Sequence, residues 1–498
     1  MQEKTKGLKK KPDYIKRIDE LKEEMINDLY GLVRRRSVQS EPRPGAPFGE
    51  EVAEAFRYMT ALAEREGFST EDINGYGGHI DYGENADAGT MGILCHLDVV
   101  PEGDGWDHHP FEAEIIDGVM YGRGTLDDKG PTISAFYAMK ALHDCGYEPK
   151  KRIRMILGLD EETGSNGMSY YKEHCEMPDF AIVPDAEFPI VHGEMGILVF
   201  DLARRFGKKE KGGISLKRLS GGRAFNMVPD SASALINCES GYDEIKRALD
   251  DFCAHSHYSF KTVRRGKSLE IICEGKAAHG AVPWKGLNAI SVMMSFLGTL
   301  CFNCEAVNEF TAFYNDHIGF RLHGEKIGCE LEDKVSGKLI FNVGIADINE
   351  EKASITVNVR CPVSLTDQDV YKGMMPVLDK YDIGIVKHEY KPSLYYSLDN
   401  PVVKQLLEIY RERTGDYETE PLVIGGGTYA REMENAIAYG ALYPGDPDIM
   451  HQKNECVNLE RVVQTAKIYA EALYRLAVNP ETNYSEKADH DEETENSI

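Results

Sequence analysis

MGILCHLD, residues 91–98, is an apolar run of strand length that ends on a histidine and an aspartate one residue apart. The stretch Met91 to Cys95 has the length and continuity of a strand buried on both faces. Two similar runs follow, Ile153 to Leu159 and Phe180 to Val183. Between the first two lies a helical pattern, Ile133 to Leu142, closed by Gly146. Strand alternating with helix predicts an α/β fold, a largely parallel sheet flanked by helices.

Working outward, Ile15, Ile18, Leu21, Met25, Leu29 and Leu32 recur at three and four and predict one helix face. Val52, Phe56, Met59 and Ala63 repeat the pattern, and Gly67 stops it. From about Gly193 to Pro392 the character changes. Glycine-rich turns separate period-two strands such as Ile355, Val357 and Val359, and Asn349-Glu350-Glu351-Lys352 is a polar hairpin turn. This predicts a separate α+β domain inserted into the first. The α/β character returns with helices over Val402 to Tyr410 and Leu459 to Leu476. The expected organisation is a catalytic domain over 1–192, an inserted domain over 193–392, the rest of the catalytic domain over 393–478, and an acidic disordered tail over 479–498. No internal repeat is visible.

The chain has 498 residues, 42% of them hydrophobic, and a formal charge of −26. Nucleic acid and anionic membranes need basic stripes, so neither is an expected partner. No apolar run reaches the roughly 20 residues of a membrane-spanning helix, and the basic start has no apolar segment behind it, so no secretory signal is read. Eleven cysteines, an odd number with several in apolar runs, point to buried thiols in a reducing, cytoplasmic setting. Cys301 and Cys304 form a lone C-x-x-C, which core packing explains better than a metal site.

Five clusters of hard or imidazole ligands stand at the ends of these elements: Leu94–Asp98, Gly122–Gly130, Gly158–Gly164, Pro184–Glu187 and Asp448–His451. In an open α/β sheet, sites form at the carboxyl ends of strands, so the first four should converge. Each acid alone could equally be a helix N-cap, and His451 alone a structural histidine. Together the acids would repel one another unless cations held them. Mixed imidazole and carboxylate donors suit zinc, manganese or cobalt better than calcium or magnesium.

Seven stretches in order, CHLDVVPEGDGW, YGRGTLDDKGP, DEETGS, FNMVPD, GKAAHGAVP, GGGTYAR and MHQKNE, resemble the M20 family of metallopeptidases, and within it the PepV-type dipeptidases. The resemblance runs from the first helix to about Ala477. It implies a zinc-peptidase-like catalytic domain and a lid built from the insertion. It also implies two divalent ions, zinc first, with manganese or cobalt as alternatives. His96 and Asp185 would hold one ion, Glu162 and His451 the other, and Asp127 would bridge them. Glu161 would be the general base, and Asp98 would accept the second ring N–H of His96. A cis peptide between Asp127 and Asp128 is implied as well.

In the lid, the resemblance gives His279 to the scissile carbonyl and Asn226 and Arg360 to the substrate, Arg360 suiting a carboxylate. Gly426, Gly427 and Thr428 would offer backbone N–H groups to a carboxylate. Aspartate at position 185 goes with dipeptidase and aminopeptidase members. The expected activity is a dinuclear dipeptidase acting on short peptides with a free C-terminal carboxylate. An N-acyl-amino-acid deacylase and a catalytically silent binding protein are the alternatives. The insertion of roughly 200 residues exceeds an ordinary ~100–150-residue domain; PepV-type relatives use such a lid in place of a dimer partner, so a monomer is expected. His108 and His109 are read as surface loop, and Glu187 as too close to Asp185 to share its role.

Overall fold

The computed structural model describes residues 11–84, 88–208, 210–238 and 241–480. Most of the acidic tail, from residue 481 on, lies outside them. The chain divides into two compact units, one built from residues 1–192, 396–422 and 427–498, the other from 193–395 and 423–426.

The first unit holds a sheet whose order runs Ser69–Asp72, Gly77–Tyr82, Arg152–Gly158, Thr90–His96, Phe180–Val183, Ala436–Ala438 and then the strand that starts at Val191. The four strands from Arg152–Gly158 to Ala436–Ala438 are parallel. Thr90–His96 is buried from Met91 onward, as a strand covered on both faces must be. The margins are antiparallel. This departs from a simple strand–helix alternation because Ser69–Asp72 and Gly77–Tyr82 are joined by a tight turn with Asn74 and Gly75 at positive φ, too short for a crossover helix.

The helix Lys129–Asp144 is buried along nearly its whole length. It lies against the final helix Leu459–Leu473, to which Ser134 Oγ is tied through the Val462 carbonyl (3.1 Å). The first helical pattern is two helices, Tyr14–Glu20 and Lys22–Val33, parted at Leu21. Asp13 caps the first of them, accepting from the N–H groups of Ile15 and Lys16.

In the second unit all eight strands of the main sheet are antiparallel, in the order Phe260–Arg265, Ser268–Glu274, Ser231–Cys238, Ile214–Gly221, Ile340–Asn349, Lys352–Cys361, Gly196–Arg205 and Gly384–Lys391. The predicted hairpin turn is present, with Asn349 Oδ1 accepting from the N–H groups of Glu351 and Lys352. Alternate residues such as Phe200, Ile236, Val357 and Val359 form a core with Ile245, Met293, Phe310 and Met374 from the helices Asp243–His255, Ala289–Leu297, Glu305–Phe313 and Asp367–Lys380. Val423–Gly426 joins this unit although its neighbours in sequence do not. The Met195 N–H donates to the Ile424 carbonyl (2.9 Å), and Gly425 lies against Ala281 and Arg360. Cys304 is buried in this core but Cys301 is exposed, so only one of the pair packs as expected.

Candidate metal centre

Parallel strands bring their carboxyl ends to one edge, and here three of them carry candidate ligands there. His96 ends its strand; Gly158 ends the next and leads into Asp160, Glu161 and Glu162; Val183 leads into Asp185. The Leu97 N–H donates to the Gly158 carbonyl (3.0 Å), which locks the first two exits together. Asp127 approaches from the loop ahead of the buried helix Lys129–Asp144, across a cis peptide to Asp128. Asp128 Oδ2 accepts from the His96 backbone N–H (3.1 Å) and from Thr132 Oγ1 (3.2 Å).

These side chains form two clusters, His96 with Glu161 and Asp185, and Asp127 with Glu162 and His451. Asp127 faces both histidines. Its Oδ1 lies 2.9 Å from His96 Nε2, and its Oδ2 lies 2.8 Å from His451 Nε2. His96 Nε2 is also 3.7 Å from Asp185 Oδ2, and His451 Nε2 is 3.1 Å from Glu162 Oε1. Although so close, His96 Nε2 and Asp127 Oδ1 lack the geometry of a hydrogen bond, and neither has a hydrogen-bond partner among the described residues. Buried donor atoms converging without hydrogen bonds fit a cation between them, and the mix of imidazole and carboxylate fits a transition-metal ion.

Electrostatics follow from this crowding. Burial pushes the Glu161 carboxyl well above the usual range, and Asp185, Glu162 and Asp127 add to the effect. Burial and the neighbouring Asp127 push Glu162 up to about 7. Burial disfavours charge on His451, yet Asp127 and Glu162 more than offset it and push the imidazole up to about 11. Burial also works against the Asp127 carboxylate, but the two histidines hold its pKa below the ordinary range. A site that gathers protons onto imidazoles between carboxylates is one that favours cations.

Asp98 accepts from the His96 ring through its main chain and not through its side chain. The His96 Nδ1–H donates to the Asp98 main-chain carbonyl (3.0 Å), with the carboxylate Oδ1 farther away at 3.5 Å. A carbonyl can only accept, so Nδ1 carries a proton, and Nε2 is the ring nitrogen left facing Asp127. The Asp98 carboxylate instead accepts from the backbone N–H groups of Glu161 and Glu162, each at 3.1 Å. The two adjacent N–H groups of that turn draw the carboxylate to themselves, and their side chains go to different clusters.

Three supporting features were not singled out from the sequence, although all lie within the quoted stretches. Tyr429, 1% exposed, sets its ring edge-on to His96 at 6.0 Å, and its hydroxyl fills the place where a side chain on Gly158 would stand. Asp160 caps the helix Asn166–His174 through the N–H groups of Asn166 and Gly167. Arg123 and Glu455 form a buried ion pair (2.6 Å). Glu455 Oε1 accepts from the Leu126 N–H (2.9 Å), and Arg123 Nη1 reaches the Gln452 carbonyl (3.2 Å). The pair therefore joins the loop carrying Asp127 to the loop carrying His451.

Of the remaining expected residues, His279, Asn226, Arg360 and Gly426 lie in the second unit, and Gly427 and Thr428 in the first. The short strands Met227–Val228 and Ala278–His279 pair, with Met227 opposite His279, and the Gly280 N–H donates to the Asn226 carbonyl (2.6 Å). His279 is exposed, Asn226 half-buried and Arg360 buried. Thr428 Oγ1 accepts from the Ala430 N–H (3.1 Å). His108 stands outside both clusters, with Nδ1 2.8 Å from Glu114 and its ring on Tyr121. Glu187 is exposed and also outside them.

Comparison with known proteins places the chain in a family. The model of peptidase family M20/M25/M40 matches residues 92–475. A Staphylococcus aureus protein provisionally named a dipeptidase is 36% identical over 467 residues, covering 93% of this chain and 99% of the relative. A Staphylococcus epidermidis protein with the same provisional name is 36% identical over 465 residues, covering 92% and 98%. Among solved structures, the aminoacylhistidine dipeptidase of Vibrio alginolyticus aligns with a TM-score of 0.54 at 16% identity, over 92% of this chain and 97% of that one. Human carnosine dipeptidase 1 aligns at 0.51 and 15%, over 93% and 98%. The resemblance read from the seven stretches is borne out, and the chain belongs to peptidase family M20/M25/M40.

Proposed function

We propose that this peptidase is a dinuclear metal-dependent dipeptidase that cleaves short peptides bearing a free C-terminal carboxylate. The observation that carries the reading is Asp127, whose two oxygens lie 2.9 and 2.8 Å from two different imidazoles. That arrangement supports two ions sharing one carboxylate. His96 and Asp185 would hold the first ion, and Glu162 and His451 the second, with zinc favoured and manganese or cobalt also suited to these donors. Bound there, the ions would lower the pKa of the attacking water and polarise the scissile carbonyl.

The chain's own residues do the rest. Glu161 takes one proton from the attacking water and passes it to the leaving amine as the C–N bond breaks. Asp98 holds the backbone of both glutamates, and the Asp98 carbonyl keeps His96 in the tautomer that offers Nε2. His279 steadies the developing oxyanion, Asn226 and Arg360 bind the peptide, and the N–H groups around Gly426, Gly427 and Thr428 receive a carboxylate. One chain is sufficient for catalysis. No disulfide is formed by the eleven cysteines among the described residues, which supports a cytoplasmic setting.

The test is hydrolysis by metal-loaded protein of a panel of dipeptides, their C-terminal carboxamides and N-acetyl-amino acids. Cleavage of free dipeptides, abolished by chelation and restored by zinc, manganese or cobalt, is the expected result. Faster turnover of the N-acetyl-amino acids would replace the dipeptidase reading with a deacylase, and full activity in metal-free protein would end both.

A further inference from the structure

A metal ligand has to point its donor atom in one direction. A histidine at the end of a strand has two side-chain torsions to settle for that, and the second of them is broad. At His96 the bond from Nδ1 to the Asp98 carbonyl (3.0 Å) holds one ring nitrogen. A carbonyl accepts over a wide range of directions, so this bond alone does not settle the tilt of the ring. The plane of the imidazole needs a second constraint.

Tyr429 stands where that constraint can act. The two ring centroids are 6.0 Å apart with the planes at 81°, the edge-to-face geometry that aromatic pairs prefer. The phenol is itself held. It is buried, and it covers Gly158, the residue opposite His96 on the neighbouring parallel strand. A Cβ at position 158 would overlap the Tyr429 hydroxyl and stand 2.5 Å from Cε2 and 2.6 Å from Cζ. The tyrosine thus reaches across two strand exits, and it needs a glycine on one to meet the histidine on the other. At its own end Tyr429 opens the short helix Tyr429–Glu432, which Thr428 Oγ1 caps by accepting from the Ala430 N–H (3.1 Å). All of these residues belong to the first unit.

We propose that Tyr429 is a positioning residue for the metal centre, its ring fixing the plane of His96 and with it the direction of Nε2. The inference rests on the reading of His96 as a ligand of the first of two ions. The task falls to the aromatic ring, not to the hydroxyl, because it is the ring that meets the imidazole. Glu162 and His451 belong to the other cluster, so the effect of Tyr429 falls on one ion of the two.

The experiment titrates metal-free protein with zinc and compares the parent with Tyr429→Leu, Tyr429→Phe and Gly158→Ala, with thermal unfolding of each metal-free protein alongside. Changing a residue that orients a ligand typically costs ~10–100-fold in metal affinity. Tyr429→Leu stays apolar but has no ring, so one ion should bind ~10–100-fold more weakly while the other keeps its parental affinity. Tyr429→Phe keeps the ring and should bind both ions as the parent does. Gly158→Ala leaves the tyrosine in the sequence but drives its ring from its place, and should weaken the same ion; it decides the matter if the leucine variant does not fold. A folded Tyr429→Leu protein that holds both ions with parental affinity overturns the proposal. So does a phenylalanine variant as weak as the leucine one, or a leucine variant that weakens both ions alike together with a lowered unfolding temperature, the mark of lost packing only. If the parent itself binds fewer than two ions, the two-ion reading has failed instead, so the two failures are distinct.

Discussion

At the scale of single residues, Glu161 and Glu162 are neighbours in sequence for which different tasks are proposed. Asp98 grips both of their N–H groups, and the side chains part toward His96 and toward His451. Glu161→Gln keeps the shape and removes the proton acceptor, so kcat should fall by ~10²–10⁴ while two ions remain bound by elemental analysis. Glu162→Gln should instead lose metal. The reverse pattern, metal lost from Glu161→Gln and only rate lost from Glu162→Gln, would exchange their assignments. The candidates His96, Glu161, Glu162 and Asp185 were legible because a buried strand reads as an apolar run, and the polar residues just past its end are conspicuous. The hydrogen bonding of Asp98 was not, because the choice between its carbonyl and its carboxylate depends on which N–H groups a neighbouring strand exit brings near.

At the scale of elements, the two histidines are held differently. His96 ends a strand in the middle of a sheet, whereas His451 sits in a loop at φ 61°, with Asn454 in the same loop at φ 60°. Left-handed backbone at such residues costs on the order of 1 kcal/mol or more each and persists only where the surroundings impose it. Arg123 and Glu455 impose it here, helped by Trp106 beneath the guanidinium (5.2 Å) and by the reciprocal hydrogen bonds of Asp107 and Asn454. Glu455→Gln leaves Arg123 buried without its counter-charge, which typically costs about 3–5 kcal/mol. Metal titration should show weakened binding of one ion of the two, on the His451 side, with the thermal midpoint lowered. Two ions held with parental affinity would show that the ion pair does not set the His451 loop.

For the whole molecule, the ends of the first unit are joined through Glu471 in the final helix. It accepts from Tyr14 near the start of the chain (2.9 Å), from Arg413 (2.5 Å) and from Arg475 (2.7 Å). Burial pushes the Glu471 carboxyl up, but Arg475, Arg413 and Tyr14 outweigh burial and hold its pKa below the ordinary 4.5. A lowered pKa means that the unfolded chain binds more protons, so this stabilisation is fully present above about pH 4.5 and is lost as pH falls through the folded-state value. Glu471→Gln should destabilise the protein near neutrality, and the gap between parent and variant in denaturant titrations should close in acid. A gap independent of pH would remove the charge from the explanation. Catalysis by a single chain is tested by mixing His279→Ala with Glu161→Gln protein. No activity should return, whereas recovered activity would mean that one chain completes another's site.

Much of this architecture is written locally. Apolar runs at 91–95, 153–159 and 180–183, the helix between the first two and the period-two strand around Val357 are set by burial, which acts on each segment's own pattern. Three of the five clusters of candidate ligands were visible for the same reason, as polar residues where such runs stop. What only the tertiary structure decided depends on partners distant in sequence. The antiparallel margins of the sheet, the passage of Val423–Gly426 into the second unit and the pairing of Arg123 with Glu455 are of this kind. Hydrogen bonds and ion pairs form between whichever groups folding brings within about 3 Å, and no local pattern records that meeting.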